Sequence, residues 1–309
     1  MKHIFFLLAL ALSLFLAGCG ANKTNGAGAL SSSPSQSSLT NTSSTTTTSS
    51  TTSTTTTTSS GSSTPVTTPP GNNNDNGSGS GDPGNNNGLP TPPSSAIVFS
   101  HLEKGGNWQS CNSPACAGGG GKGTYWLAQN QSSPSQDGSS MEFFNSGVYT
   151  NALFWQYLGP EDNVTNFLWD FYFYLDENSQ SATQALEFDM FQFVNGYNYM
   201  MGSECDYSRG IWDSWDEASN KWIHTSIPCK KFTSNTWHHI QWYITADHTK
   251  RQYTYITLVI DGNPNPLNLT RNARDLGWVD QVGVQWQLDV NSTGQGYHEW
   301  VDQATLTVW

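Results

Sequence analysis

The chain has 309 residues, with 24 acidic against 12 basic side chains, a formal net charge of -12 and 13 tryptophans. An excess of that sign excludes the basic surface that nucleic acid or an anionic polysaccharide such as alginate requires, so uncharged partners are expected.

Residues 1–18 open with Lys2 and His3 and run apolar from Ile4 to Leu16. That run is short for a bilayer span and ends in small residues, as an export signal does. Leu16-Ala17-Gly18-Cys19 resembles a bacterial lipobox, which implies cleavage before Cys19 and lipidation of its thiol. Acyl chains there would anchor the protein to a membrane without a transmembrane helix. Gly20 stands where an inner-membrane retention signal shows Asp, so the resemblance implies an outer-membrane or cell-surface location. Residues 19–95 are Ser, Thr, Gly, Asn and Pro with almost no large apolar side chain. Such a segment cannot offset its ordering entropy by burial and is expected to form a disordered stalk with an end-to-end distance on the order of 50 Å.

Residues 96–309 are of ordinary size for one β-sandwich. All the tryptophans lie here, and because Lys2 and Lys23 cancel Asp75 and Asp82, so does the whole formal charge. Four cysteines remain after Cys19. In an exported chain an even number reads as disulfides. Of three pairings, Cys111 with Cys116 and Cys205 with Cys229 is expected, since each closes a local loop; zinc is the alternative, but no His stands near Cys111 and Cys116 at zinc-finger spacing.

In chain order, Phe167 to Leu175, Ala185 to Val194, Trp237 to Thr245, Tyr253 to Ile260 and Gln281 to Val290 alternate as strands, separated by turn signals such as Asp261-Gly262-Asn263-Pro264. Asp216 to Lys221 is the one place where a helical turn is expected. The pattern predicts an all-β fold of two antiparallel sheets.

The central strand reads Ala-Leu-Glu-Phe-Asp-Met-Phe-Gln-Phe-Val from Ala185. Its period of two sends Leu186, Phe188 and Met190 to a core and Glu187 and Asp189 to the other face. Two neighbouring acids repel unless a donor, a ligand or a shared proton compensates them, which marks a candidate site. The stretch resembles the signature strand of laminarinase- and lichenase-type retaining β-glucanases, in the concanavalin A-like lectin/glucanase superfamily, whose pattern is Glu-x-Asp-x-Glu or Glu-x-Asp-x-x-Glu. Trp237-His238-His239-Ile240, followed by Val259-Ile260-Asp261-Gly262, and the closing stretch from Trp300 to Trp309 also resemble that superfamily's strands.

The resemblance implies a jelly-roll sandwich with Glu187 as nucleophile and Asp189 orienting it. Phe191 and Gln192 stand where the acid/base Glu would fall, and glutamine has no proton to give a leaving oxygen. A lectin-like cleft for a neutral polysaccharide or glycan is therefore expected before a hydrolase. Its expected lining is Glu187, Asp189, Gln192, Gln285 and Gln287, with Trp212 and Trp215 on looser sequence as stacking rings. The alternatives are a retaining hydrolase with Glu204 or Asp206 as proton donor, and a structural or adhesive envelope protein. His238 and His239 are read as packing residues. No cofactor and no catalytic metal are expected. Glu204, Asp206, Asp213 and Asp216 form an acidic patch of the oxygen type that calcium takes, without the dense Asp/Asn/Gly spacing of a calcium loop.

Overall fold

The computed structural model describes residues 88–116 and 118–309; the expected export signal, Cys19 and the stalk up to residue 87 lie outside the described residues. Strands run in chain order as β1 (Ile97–Phe99), β2 (Gln109–Asn112), β3 (Thr124–Gln131), β4 (Ser140–Ser146), β5 (Asn151–Gly159), β6 (Asn166–Leu175), β7 (Thr183–Val194), β8 (Gly196–Met201) and β9 (Ser203–Asp206). They continue as β10 (Ile211–Asp216), β11 (Lys221–Pro228), β12 (Trp237–Asp247), β13 (Gln252–Ile260), β14 (Asn263–Asn272), β15 (Arg274–Trp278), β16 (Gln281–Val290) and β17 (Tyr297–Val308). One sheet has the order β14-β13-β12-β6-β17-β4-β3, with β1 on β17. The other has the order β11-β10-β9-β7-β16-β5-β2, with β8 on β7 and β15 on β8. The chain changes sheets at each step from β4 to β7 and again from β16 to β17, which makes the expected all-β jelly-roll sandwich of two antiparallel sheets.

Alternation along each strand builds the core. From β6, Phe167, Trp169, Phe171, Phe173 and Leu175 are fully buried, and they meet Leu186, Phe188 and Met190 of β7 and Val282, Val284, Trp286 and Leu288 of β16. Trp286 is central to it, with Trp169 5.0 Å and Phe171 5.5 Å away between ring centres. Aromatic pairs in tilted and edge-on contact add to the burial of their large surfaces, which explains why the sequence concentrates its rings in these strands.

Cys111–Cys116 and Cys205–Cys229 are the disulfides, which removes the zinc alternative because a bridged sulfur has no thiolate to offer a metal. His238 faces the core, its Nδ1 2.9 Å from Asp261 Oδ2 and its Nε2 2.9 Å from the Thr233 carbonyl, while His239 faces outward and meets Asp170 at 2.7 Å. Both are structurally satisfied. The helical turn expected at Asp216 to Lys221 is instead the hairpin turn between β10 and β11, where the Ser219 N–H donates to Asp216 Oδ2 at 3.1 Å. Capping by an aspartate is available to a turn as well as to a helix, and the pairing of Asp216 with Lys221 across β10 and β11 decides in favour of the hairpin. Among the described residues the single α-helical turn is Ser179–Ala182.

Glu299 is an exception to the apolar rule. It lies on β17 between Leu175 and Phe143, fully buried, and neither carboxyl oxygen has a hydrogen-bond partner. Desolvation pushes its pKa well above the usual carboxylate range, so the folded domain keeps it protonated. A carboxyl whose folded pKa is raised lowers stability as pH climbs past its unfolded value, because the unfolded chain releases a proton that the native one retains. Glu299→Gln is therefore expected to match the parent near pH 4 and to exceed it by about 1–3 kcal/mol at pH 7, read from urea unfolding midpoints at both pH values.

Candidate functional site

The outer face of the nine-stranded sheet carries two rows of side chains set by register. In the first row Asp213, Glu204, Glu187 and Gln287 stand side by side on β10, β9, β7 and β16, continued by His224 on β11 at one end and Leu153 on β5 at the other. In the second row Asp189 of β7 pairs with Gln285 of β16, which pairs with Trp155 of β5. The two glutamines face Glu187 and Asp189, as the alternation of β16 predicted.

Each acid is bound to its glutamine. Gln285 Nε2 donates to Asp189 Oδ2 at 2.6 Å, the Ser203 N–H donates to Asp189 Oδ1 at 2.9 Å, and Gln287 Nε2 donates to Glu187 Oε1. Both acids are buried, at 1% exposure for Glu187 and 0% for Asp189. Desolvation pushes the Asp189 pKa up to about 7 and the negative Glu204 adds to the rise, against the lowering effect of the Ser203 and Gln285 donors. Both amide groups are spent on carboxylates, so the carbonyl oxygens Gln285 Oε1 and Gln287 Oε1 are left buried with no partner. The indole N–H of Trp155, in the same row as Gln285, is engaged by the Tyr157 hydroxyl. Unpartnered buried acceptors such as the two carbonyl oxygens cost free energy until a donor arrives.

Aromatic rings bound the polar rows. Phe191, Phe193, Met200 and Trp215 form a second cluster with Trp222 and Trp278 packed against it. Two glycines admit these rings. At Gly283, paired with Phe191, an added Cβ would lie 2.2 Å from the Phe191 ring, and at Gly202 it would meet Trp215, Trp222 and Asp189 Oδ1 at 3.0, 3.2 and 3.4 Å. Glycine at both positions lets aromatic groups lie close over the sheet beside the acids.

Two residues expected in the cleft are elsewhere. Gln192 lies on the core side of β7, where Nε2 donates to the Glu161 carbonyl at 2.8 Å and the Val164 carbonyl at 3.1 Å and Oε1 meets His248 at 2.7 Å. From Ala185 to Phe193 β7 pairs without a bulge and keeps strict alternation, so Phe191 alone occupies the face where a third acid would project. Trp212 belongs to the core between the sheets, 6.1 Å from Trp242, because β10 is a paired strand and not the looser segment its Gly and Ser neighbours suggested. Trp215, three residues on, does face the site side but is fully buried, its Nε1 donating to Glu217 Oε2 at 2.5 Å. The residues that sequence reasoning missed are Trp155 and His224, each placed here by a pairing partner and not by its own neighbours.

Glu204, Asp206 and Asp213 bring one carboxylate oxygen each within 4.8 Å of one another. All three are hard oxygen donors of the kind calcium takes. Asp206, however, caps the turn after β9, its Oδ1 accepting from the Ser208 N–H at 2.8 Å and the Arg209 N–H at 3.2 Å, and Asp213 meets His224 Nδ1 at 2.5 Å. Three carboxylates with those commitments fall short of the six to eight oxygens calcium requires, so nothing below depends on an ion.

No family model matches the chain, and no curated protein does. Among solved structures it is similar to a carbohydrate esterase from the Shiga toxin-encoding bacteriophage phi24B, at 15% identity over 69% of this chain and 99% of that one, with a TM-score of 0.41. An endo-beta-1,4-glucuronan lyase from the fungus Trichoderma reesei matches at 10% identity over 65% and 94%, with a TM-score of 0.39. The lectin UEA-II complexed with galactose matches at 13% identity over 69% and 98%, with a TM-score of 0.36.

Carboxyl-detected NMR titration should place the Asp189 midpoint near 7, about three units above an ordinary aspartate. Asp189→Asn keeps an acceptor for the Ser203 N–H and removes the ionisation, and is expected to flatten the fall in stability between pH 4 and pH 8; an Asp189 midpoint below 5 would show that the carboxyl is solvated.

Proposed function

We propose that this chain is an exported, lipid-anchored carbohydrate-binding protein that holds a neutral glycan on the outer face of its nine-stranded sheet. In this reading Cys19 carries the lipid, residues 19–95 are the tether, and the sandwich is displayed at the cell envelope. The observation that carries the binding role is the pair of unpartnered carbonyl oxygens, Gln285 Oε1 and Gln287 Oε1, held in register beside Glu187 and Asp189. All four groups point to the same face, at 0–1% exposure beneath it, so a ligand would reach them only as the overlying side chains give way. Sugar hydroxyls supply donors at the spacing of adjacent ring carbons, and planar carboxylate and amide groups accept them in pairs. Trp222 and Trp278 border the site as surfaces for the apolar face of a pyranose.

A second reading has its own support. Glu204 lies directly opposite Glu187 across β7 and β9, which sets their Cβ atoms about 4.5–5.5 Å apart. Retaining glycosidases use carboxyl groups about 5–5.5 Å apart, so Glu187 as nucleophile with Glu204 as acid/base is a chemically complete pair. The binding reading is preferred because Phe191 replaces the acid at the strand position that the resembling enzymes use.

Affinity electrophoresis through gels containing soluble neutral glycans, followed by calorimetry with matching oligosaccharides, separates the two. Binding is expected to weaken at least about tenfold in both Glu187→Ala and Gln287→Ala, equivalent to about 1.4 kcal/mol, with no new reducing ends formed by the parent protein. Release of reducing ends that Glu204→Gln abolishes would establish the hydrolase instead. Retention of no glycan, with both alanine variants indistinguishable from the parent, would leave a structural role.

A further inference from the structure

The opposite side of the molecule carries a contiguous ring surface that the site above does not use. On the outer face of the eight-stranded sheet, register places Trp126, Phe144 and His298 in one row across β3, β4 and β17. The next row holds Trp300, Tyr174 and Trp237 across β17, β6 and β12. Successive rings touch: Trp126 stacks on Phe144 at 5.3 Å, Phe144 meets His298 at 4.6 Å, and His298 stacks on Trp300 at 5.5 Å. Trp300 then meets Tyr174 at 5.7 Å, and Tyr174 meets Trp237 at 5.5 Å. Five strands at about 4.8 Å spacing make this a strip roughly 19 Å long. Trp126 is 37% exposed and the other five rings are half-buried, each keeping an outward surface. The outward face of a sandwich sheet is ordinarily polar, and six rings in unbroken contact there require an explanation.

Beside the strip lies a hollow of about 510 Å³, walled by Asp170, Tyr172, His239, Gln303, Thr305 and Thr307 among others. Tyr172 and His239 stack face to face at 4.1 Å on its floor and continue the ring surface into it. The acids of this face are hydrogen-bonded within it. Glu142 meets His298 at 2.7 Å, and Asp170 is bound by His239 and by the Gln241 amide, both at 2.7 Å. The five strands β3, β4, β17, β6 and β12 contain no Lys or Arg.

From this juxtaposition we propose a second carbohydrate-binding surface, on which an extended, uncharged polysaccharide chain lies along the Trp126-to-Trp237 strip with hydroxyls turned into the adjoining hollow. Flat rings in a line match the apolar faces of successive sugars, and the hydroxyl, amide and carboxylate groups of the hollow match their edges. These strands carry no Lys or Arg, and the Lys104 at the edge of the hollow is spent on Asp137 at 2.5 Å, which disfavours an anionic polymer. A second protein copy fits less well, since the two rows contain no branched aliphatic side chain of the kind that fills a dimer core. The two surfaces lie on opposite faces of the sandwich, so one molecule could grip two chains.

The test is a depletion assay of the full chain on microcrystalline cellulose, in a Glu187→Ala/Gln287→Ala background that silences the first site. Retention is expected to persist in that background and to fall at least tenfold when Trp126→Ala and Trp300→Ala are added, with the circular dichroism melt unchanged. If that combination fails to fold, Trp126→Ala alone, at the most exposed ring, is held to the same criterion with a threefold loss. Retention within twofold of the background by a folded strip variant overturns the proposal. So does absence of retention in the background, or a dimer by sedimentation equilibrium that the strip variants dissociate. Soluble oligosaccharide binding by the strip variants with Glu187 and Gln287 intact reports on the first site alone, so either surface can fail without the other.

Discussion

The hydrogen bonds that tie Gln285 to Asp189 and Gln287 to Glu187 across β7 and β16 are the constraint on which the site depends. They exist because both strands alternate in the same phase: each sends every second residue to the core, and antiparallel pairing brings the alternate residues face to face. A slip of one residue in that register would turn two carboxylates into the sandwich and two core aromatics out of it, so burial of Phe188 and Trp286 enforces the polar pairing behind them. The glutamine amides compensate the acids but leave their own carbonyls unmet. Stability of the sheet and readiness for a donor-rich ligand thus have one origin.

The two outer faces of the sandwich are built from different chemistry. The nine-stranded sheet gathers Glu187, Asp189, Glu204, Asp206 and Asp213, a large part of the domain's acidic surplus, within three neighbouring strands. Burial offsets some of that charge by protonation, as the raised pKa of Asp189 indicates. The eight-stranded sheet instead displays rings, and its acids are hydrogen-bonded within the face. Neither face offers a basic patch, in agreement with the composition.

Much of the fold was legible because a strand's period survives in the sequence. Gln281 to Val290 was expected as a strand and is one with those bounds, and its division into apolar and amide sides holds residue by residue. Gln192 was placed wrongly because β7 alternates regularly from Ala185 to Phe193, which sends Gln192 to the same side as Phe188 and Met190. Trp212 was misread because Gly and Ser around it suggested a loop, whereas pairing with β9 and β11 decided its conformation. Glu204 was one of two acids expected to work with Glu187, but the register that sets it and not Asp206 opposite, the place of Trp155 beside Gln285, and the ring strip were not legible. Each is a contact between strands far apart in the chain, and nothing local to either partner encodes it.

Side-chain amide NMR of Gln285 and Gln287 during titration with a neutral oligosaccharide tests the central claim most directly. Hydrogen bonds donated to their carbonyl oxygens should move both pairs of amide resonances in proportion to saturation, and the two residues should report the same dissociation constant. A glycan that binds the protein while leaving both amide pairs unmoved would contradict it.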